Sequence, residues 1–434
     1  MTDAQIIGKI KISGELILKS PMLIGDGAGE TADNFKDIHA LKNSAGKPFI
    51  PGTSICGVLR EDFSNSETLQ KLFGNPDEMQ SAIQIEDVEL DNGKIIYRDG
   101  VKIDSLTGTG VTGGKYDYEA VERGARGNLR ILVNLRGRHA KENFKGAVSE
   151  MLGKLQRGIR LGALTSKGFG LVEVENLDAE FFDFTKKADV IAWFTNKNSA
   201  QKIQPAKNIS ADTENFVVDA DFSFNSSVIV RNYDVSETER AEKISAVSLK
   251  SLADFVIPGT SLKGIFRHRA EYIFGKLNLN EKLLDNLMGS SEGKKIKSRF
   301  VVAESYISKN VVEFPHSRNK IDRFTGGTLQ GVLFTTKPLY QKNFDAPTLH
   351  VHFEIINAKD FEAGLAIFLL RDLWLGNVAV GGEKCIGRGT LQGVSATINF
   401  HGKTYKLDKN GKVTGNADEL KKFAAAVQNW SDDK

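Results

Sequence analysis

Four stretches of this chain return, in the same order, in its second half. "IPGTSICGVLR" from Ile50 returns as "IPGTSLKGIFRHR" from Ile257, and "VKIDSLTGTG" from Val101 as "NKIDRFTGGT" from Asn319, which sets Asp104 against Asp322. "AKENFKGA" from Ala140 is matched by "AKDFEAGLA" from Ala358, each opening an apolar run. "LGALTSKGFGLVEV" from Leu161 is matched by "VGGEKCIGRGTLQGV" from Val380, with Gly162 and Gly168 against Gly381 and Gly387. Self-similarity at long period and in fixed order marks a duplicated structural unit. The chain must fold as two like modules, and its 434 residues are too many for one hydrophobic core.

Each half reads as the same run of elements. "GKIKISGELILK" from Gly8 and "NFVVDADFSF" from Asn215 alternate in the period of a strand. After a second short strand, Pro-Gly turns the chain sharply, and the hydroxyls of Thr53 and Ser54, or Thr260 and Ser261, are placed to cap a helix. A Gly-rich middle reads as a protruding hairpin; a strand, a helix and a final strand follow. Without that insertion each half is β-α-β-β-α-β, so the expected class is α+β, two tandem ferredoxin-like modules, each a four-stranded antiparallel sheet with helices on one face. The expected boundaries are 1–177 for the first module, 178–212 for a connector with a short helix, 213–395 for the second module, and 396–434 for a C-terminal hairpin and helix.

Composition narrows the function classes. With 40% hydrophobic and 26% charged residues the chain is an ordinary globular protein. Neither a signal peptide nor an apolar run of membrane-spanning length is visible, which points to the cytoplasm and away from a membrane. Two cysteines, Cys56 and Cys385, exclude a disulfide framework or a cysteine-built metal site. A net charge of +3 decides nothing about nucleic acid, because phosphate binding needs local clusters of Lys and Arg.

Such clusters accompany both repeated turns. The first N–H groups of a helix favour an anion; Arg60 follows the first turn, and Lys263, Arg267, His268 and Arg269 the second. Arg157, Arg160 and Lys167 surround the first glycine loop, and Arg371, Lys384 and Arg388 the second. The plain alternatives are a capped helix and a tight turn needing positive φ. "GTGVTGG" from Gly108 lacks the strand and helix of a dinucleotide site, and the "GGK" after it is no P-loop. His350 and His352 alternate on a strand without a third metal ligand nearby. The loop "GDGAGETADNFKD" carries Asp26, Glu30, Asp33 and Asp37, acids that repel a phosphodiester unless a divalent cation lies between; a solvated loop is the alternative.

The pattern G-x-P-F-I-P-G-T-S-x-x-G-x-x-R, together with a glycine loop G-x-x-x-x-x-G-x-G, resembles the RAMP superfamily, the repeat-associated proteins of CRISPR effectors. Each half is similar to the backbone (Cas-seven type) subunit of type III complexes, and the whole to the tandem fusion of two found in type III-D systems. The resemblance implies subunits that line up along a CRISPR guide RNA, gripping its backbone with palm and glycine loop while hairpin thumbs, here about 94–128 and 307–345, wedge into the guide–target duplex. The implied RNA contacts are Thr53, Ser54, Arg60, Arg160, Lys167 and Gly168 in the first half. In the second they are Thr260, Ser261, Lys263, Arg267, Arg269, Arg318, Lys320, Arg323, Lys384 and Arg388. Implied partners are guide RNA, target RNA, and other RAMP-type and large subunits of the complex.

Cutting members of the family use an aspartate in the loop before this turn, with a divalent metal ion such as Mg or Mn. "DIHALKN" from Asp37 matches that spacing, departing by His39 for Pro and Asn43 for the second acid, so Asp33 and Asp26 stay in reserve. Aligning Leu249-Lys250 with Leu41-Lys42 puts Ser245 opposite Asp37. The first module is therefore expected to cleave target RNA and the second to bind. The implied attack is by the target's own 2′-hydroxyl, with Asp37 as metal ligand or as base. Two alternatives remain: a scaffold that cuts nothing, and a RAMP endonuclease for precursor guide RNA, for which His39 or His268 would matter. A third, an unrelated double RNA-binding module, lacks stacking aromatics at the spacing it needs.

Overall fold

The computed structural model of the protein describes residues 3–27, 38–75, 79–104, 107–199, 201–207, 214–290 and 295–430. The chain divides into two compact units, 1–165 with 169–211, and 212–434 with 166–168.

In the first unit, β1 (Ile6–Leu18) buries Ile10, Ile12, Leu16 and Leu18 on one face and turns Lys9, Lys11 and Ser13 to the other, the alternation a half-buried strand requires. Helix α1 (Gly52–Asp62), strand β2 (Ile83–Ile85), a long hairpin of β3 (Ile95–Ile103) and β4 (Gly110–Val121), strand β5 (Arg126–Arg136), helix α2 (Phe144–Arg157) and strand β6 (Leu171–Asp183) follow. The sheet runs β6-β1-β5-β2, antiparallel throughout. Ile55 and Leu59 of α1 and Val148, Met151, Leu152 and Leu155 of α2 share one core with the inner face of the sheet.

The second unit repeats the plan. Strand β7 (Phe216–Phe224) leads through β8 (Ile244–Ser248) to helix α4 (Gly259–Leu277), with α3 kept for Lys187–Phe194 of the first unit. Then come β9 (Phe300–Val302), β10 (Val311–Glu313), a hairpin of β11 (His316–Ile321) and β12 (Thr328–Lys337), β13 (Leu349–Ile355), α5 (Asp360–Trp374) and β14 (Leu391–Phe400). The order β9-β13-β7-β14 is again antiparallel. Counting each module's own four strands, both sheets read 4-1-3-2 or its reverse, the ferredoxin-like arrangement expected of β-α-β-β-α-β. Phe222, Phe266, Phe300, Phe353 and Trp374 dominate this core.

The repeated Pro-Gly has a packing cause. Pro51 and Pro258 stand in extended conformation just before the helices, which begin at Gly52 and Gly259. A Cβ on Gly52 would lie 2.1 Å from the carbonyl oxygen of Ile85, and one on Gly259 2.4 Å from that of Lys167 and 2.9 Å from that of Val302. Ile85 and Val302 close the second strand of their sheets, so in both units the helix starts pressed against the same strand end. The hydroxyls of Thr53, Ser54, Thr260 and Ser261 are therefore not caps, contrary to the sequence expectation: proline holds the cap position and they fall inside the first helical turn. The Gly52 N–H is taken instead by Asp87 Oδ1 at 2.8 Å.

Two flanking segments also differ from a bare module. Much of the expected connector joins the first sheet: β6 runs to Asp183, Gln201–Lys202 pairs with it, and Trp193 of α3 meets Phe182 edge-on. In the second unit β14 continues into a hairpin with β15 (Lys403–Leu407), and α6 (Ala417–Ala426) lies so close to α5 that a Cβ on Gly364 would sit 2.0 Å from Phe423 O. Among the described residues, no helix is long and apolar enough to cross a membrane.

A paired substitution checks the packing account. Gly52→Ala is expected to lower the stability of the first unit by about 1–3 kcal/mol, the usual cost of forcing atoms into a filled site. Gly57→Ala, mid-helix with open space around its would-be Cβ, is expected to raise it by about 0.5–1 kcal/mol. Thermal or urea unfolding of the two variants reads the difference in sign.

Candidate nucleic-acid interface

At the helix tips the first unit offers an anion little: Asp87 already holds the leading N–H of α1, Thr53 is exposed, and Ser54 and Arg60 are half-buried. In the second, Thr260 and Ser261 are half-buried and Lys263 is 5% exposed, its Nζ donating to Ser166 Oγ and Ser298 Oγ at 2.7 Å each. Burial, with the positive charges of Lys167 and Arg267 added, pushes the Lys263 amine down to about 7. Arg267 is spent on Glu271, Asp285 and the Gly289 carbonyl, and Arg269 on the buried Asp372 at 2.7 Å.

The glycine loops have the same geometry in both units. A Cβ on Gly170 would meet Leu161 O at 1.9 Å, and one on Gly389 would meet Val380 O at 2.0 Å, so close backbone approach accounts for these glycines. Arg160 is half-buried, on a short strand paired with β6; Lys167 is half-buried and Gly168 buried. Lys384 is exposed. Arg388 is 3% exposed and turned inward, bonding Glu383 at 2.8 Å, Ser227 and His316, while Arg318 bonds the other oxygen of Glu383 at 2.6 Å. Glu383 thereby ties the glycine loop to the root of the hairpin strand β11. Arg388, Arg267 and Arg269 stand where sequence placed RNA contacts, but their guanidinium groups are engaged inside the protein.

The hairpin tips are the most alike of all the repeated features. Asp104 N–H donates to Thr109 O and Gly108 N–H returns to Asp104 O, and the Asp104 carboxylate accepts from the Thr107 N–H at 2.7 Å and the Thr107 hydroxyl at 3.0 Å. Asp322 repeats each bond: its N–H goes to Gly327 O, it receives Gly326 N–H, and its carboxylate takes the Thr325 N–H at 2.8 Å and hydroxyl at 3.1 Å. Hydrogen bonds from the Thr325 and Phe324 backbone N–H groups, then the Thr325 hydroxyl, hold the Asp322 carboxyl below its ordinary range. On this stiffened turn Phe324 is 92% exposed, with exposed Lys320 and Arg323 beside it. The matching tip residue of the first hairpin, Leu106, lies outside the described residues, as do Asp33 and Asp37.

Ahead of α1, the described part of the acidic loop is held by a residue that sequence reasoning missed. Glu119 of β4 is 6% exposed; its Oε2 accepts the Ala40 N–H at 3.2 Å and Lys42 Nζ at 3.1 Å, and its Oε1 lies 3.6 Å from His39 Nδ1. Burial works to raise its pKa, but Lys42, the Ala40 N–H and His39 outweigh that and hold it below the usual glutamate range. Asp26 is exposed, its N–H bonded to His39 O. Among the described residues no three His, Cys, Asp or Glu side chains gather as a metal set, and Oε2 of Glu119 is already given to Lys42 and Ala40. The described donors by themselves do not fit a divalent cation.

His350 and His352, seen in sequence only as an alternating pair, face Asp219 and Asp221 of the neighbouring strand at 2.8–2.9 Å. Asp219, with Asp221 added, pushes His350 up to about 9 despite partial burial. The four residues form a polar grid on the outer face of the second sheet.

The profile of the RAMP superfamily matches this chain twice, over residues 15–173 and 219–392, one match for each ferredoxin-like module. No curated protein matches it.

Lys263 gives a pH test. An amine near 7 in the folded state and near 10.5 unfolded is bound by a proton in the unfolded chain only, between those values, so its contribution to stability is absent below about 7 and grows up to about 10.5. Lys263→Met should raise the melting temperature most at neutral pH and below, with the gain shrinking as pH climbs towards 10. A gain independent of pH would contradict the buried-amine account.

Proposed function

The chain belongs to the RAMP superfamily through both of its modules, and from that premise we propose that it is a guide-RNA-binding backbone subunit of a type III CRISPR ribonucleoprotein, of the III-D-like tandem kind. Membership makes it a CRISPR-associated RNA-binding protein; the proposal adds its place and action. The two modules take neighbouring positions on one guide RNA, their hairpins enter the guide–target duplex, and the first module cuts the target RNA. The other members of the particle are further RAMP-type subunits and a large subunit.

The observation that supports this reading best is the duplicated aspartate-clamped tip. An aromatic ring left 92% exposed on a stiff turn gains nothing from its own fold. Against bases it gains about 1–3 kcal/mol per stacked base, while Lys320 and Arg323 are placed for the flanking phosphates. Two aspartate-clamped turns on one chain, whatever their tip side chains, fit a ligand that repeats along its length, as an RNA duplex does.

Cleavage is assigned to the first module because Asp37 has Ser245 as its counterpart in the second. The reaction is in-line attack of the target's 2′-hydroxyl on the adjacent phosphate, with the strand splayed into line by the hairpin. If Mg or Mn takes part, Asp37 is the ligand this chain would offer, and the ion would supply charge neutralisation at the phosphate.

In the assembled particle, Asp37→Ala should remove one cut in the target while guide binding is retained; unchanged cleavage at every position would refute the assignment. Phe324→Ala should weaken target binding by roughly ten-fold, the equivalent of about one lost base stack, without loss of the guide. Target affinity equal to the parent protein's would remove the wedge role from this tip.

A further inference from the structure

Between α5 and the C-terminal hairpin and helix of the second unit lies a groove of about 690 Å³, half-open to solvent and lined mainly by apolar side chains. Its floor belongs to the core. Trp374 is 7% exposed and lies so close to β14 that a Cβ on Gly393 would sit 1.8 Å from its ring, and Leu391, Ile398 and Leu420 are buried. The α5 wall is left uncovered: Ile367 and Phe368 stay half-buried, and Leu375 is 63% exposed. Phe368, Arg371 and Leu375 recur at steps of three and four, so they share one face of α5 and its last turn. An open apolar face rimmed by polar groups marks a binding surface. The opposite wall, from β15 and α6, lies beyond residue 392, where the RAMP match ends.

The rim of the groove carries one sign of charge. Among the described residues its charged lining is Arg371 on α5, Lys409 in the hairpin turn and Lys421 on α6, with no carboxylate. The acids nearby are spoken for. Asp372, 1% exposed, takes Arg269 at 2.7 Å and Arg371 at 3.1 Å; Asp408 accepts the N–H groups of Asn410 and Lys412. Asp418 meets Lys421 at 2.8 Å, but both side chains are more than three-quarters exposed, where such a pair is weak. Lys409 has no carboxylate partner among the described residues. The surplus is positive, and it stands on three different elements around one apolar trough.

We infer that this groove is the docking site for an acidic amphipathic helix of a companion protein. The apolar face of such a helix fills the trough, and Asp or Glu on its flanks meets Arg371, Lys409 and Lys421. RNA fits less well. Apart from Phe368 and Trp374 the apolar lining is aliphatic, and Phe368 already carries the Arg371 guanidinium at 5.1 Å, which leaves bases little to stack on. Cations on three elements match acids spread along a segment better than the single head group of a small molecule. Residues 431–434, Ser-Asp-Asp-Lys, bring no apolar side chain to fill the trough. The inference stands whether or not the first module cuts RNA.

Photo-cross-linking of the full chain in its native cells tests this. Benzoylphenylalanine replaces the exposed Leu375 or, as a second probe on β14, the exposed Gln392, and the linked species are identified by mass spectrometry. Both probes should link to one segment of another protein, with apolar residues at steps of three and four and Asp or Glu on the flanks. Lys409→Glu, at an exposed side chain, should leave the melting temperature unchanged and lower the yield of that link by about ten-fold through like-charge repulsion. Lys in place of the facing acid of the partner should restore the yield. No link from either probe overturns the inference, as does a link to RNA, to a lipid or other small molecule, to a second copy of this chain, or to a segment without acids. A yield that Lys409→Glu leaves unchanged overturns it as well.

Discussion

Each module is organised by one contact, the start of a helix against the last carbonyl of the second strand. The approach leaves no room for a side chain, so glycine opens the helix, and proline before it fixes the chain in the extended conformation from which the helix departs. That junction sets the helix over the sheet and makes the face on which Ile55 and Leu59, or Leu262 and Phe266, can be buried. Because the constraint is steric and sits in the backbone, it is met in both halves by the same letters while the surrounding side chains have diverged.

The same logic governs the glycine loops, where Gly170 and Gly389 lie against the carbonyls of Leu161 and Val380. The motifs that stand out most in the sequence are thus largely architecture. The outward-reaching chemistry proposed for this chain is placed elsewhere: on hairpin tips stiffened by Asp104 and Asp322, and next to residues 38–42, which Glu119 ties to its hairpin. The hairpin tips are attached through β-structure, which lets an exposed residue such as Phe324 be held in place at low cost in conformational entropy.

The duplication, the element order and the sheet class were legible in the sequence because they are written in short-range terms, as strand alternation, turn residues and ordered repeats. The fate of the basic residues was not. Arg269 meets Asp372, Arg388 and Arg318 both meet Glu383, and Arg267 meets Asp285; apart from Arg388 and Glu383 these partners are remote in sequence, and no local pattern announces them. Glu119 escaped notice for the same reason, lying far along the chain from Ala40 and Lys42. The capping hydroxyls misled because Ser and Thr after a proline look like caps, whereas here the proline itself takes that position. Asp104 and Asp322 were visible as a repeated pair, but that they clamp a turn became clear only from their bonds to Thr107 and Thr325.

The central claim is that two like modules hold a single guide RNA at two places. Ultraviolet cross-linking of the native particle, with the linked peptides and nucleotides identified by mass spectrometry, tests it most directly. The account predicts cross-links from both hairpins to the same guide–target duplex, separated by a constant number of nucleotides. Cross-links confined to one module, or a particle that carries no RNA, would contradict it.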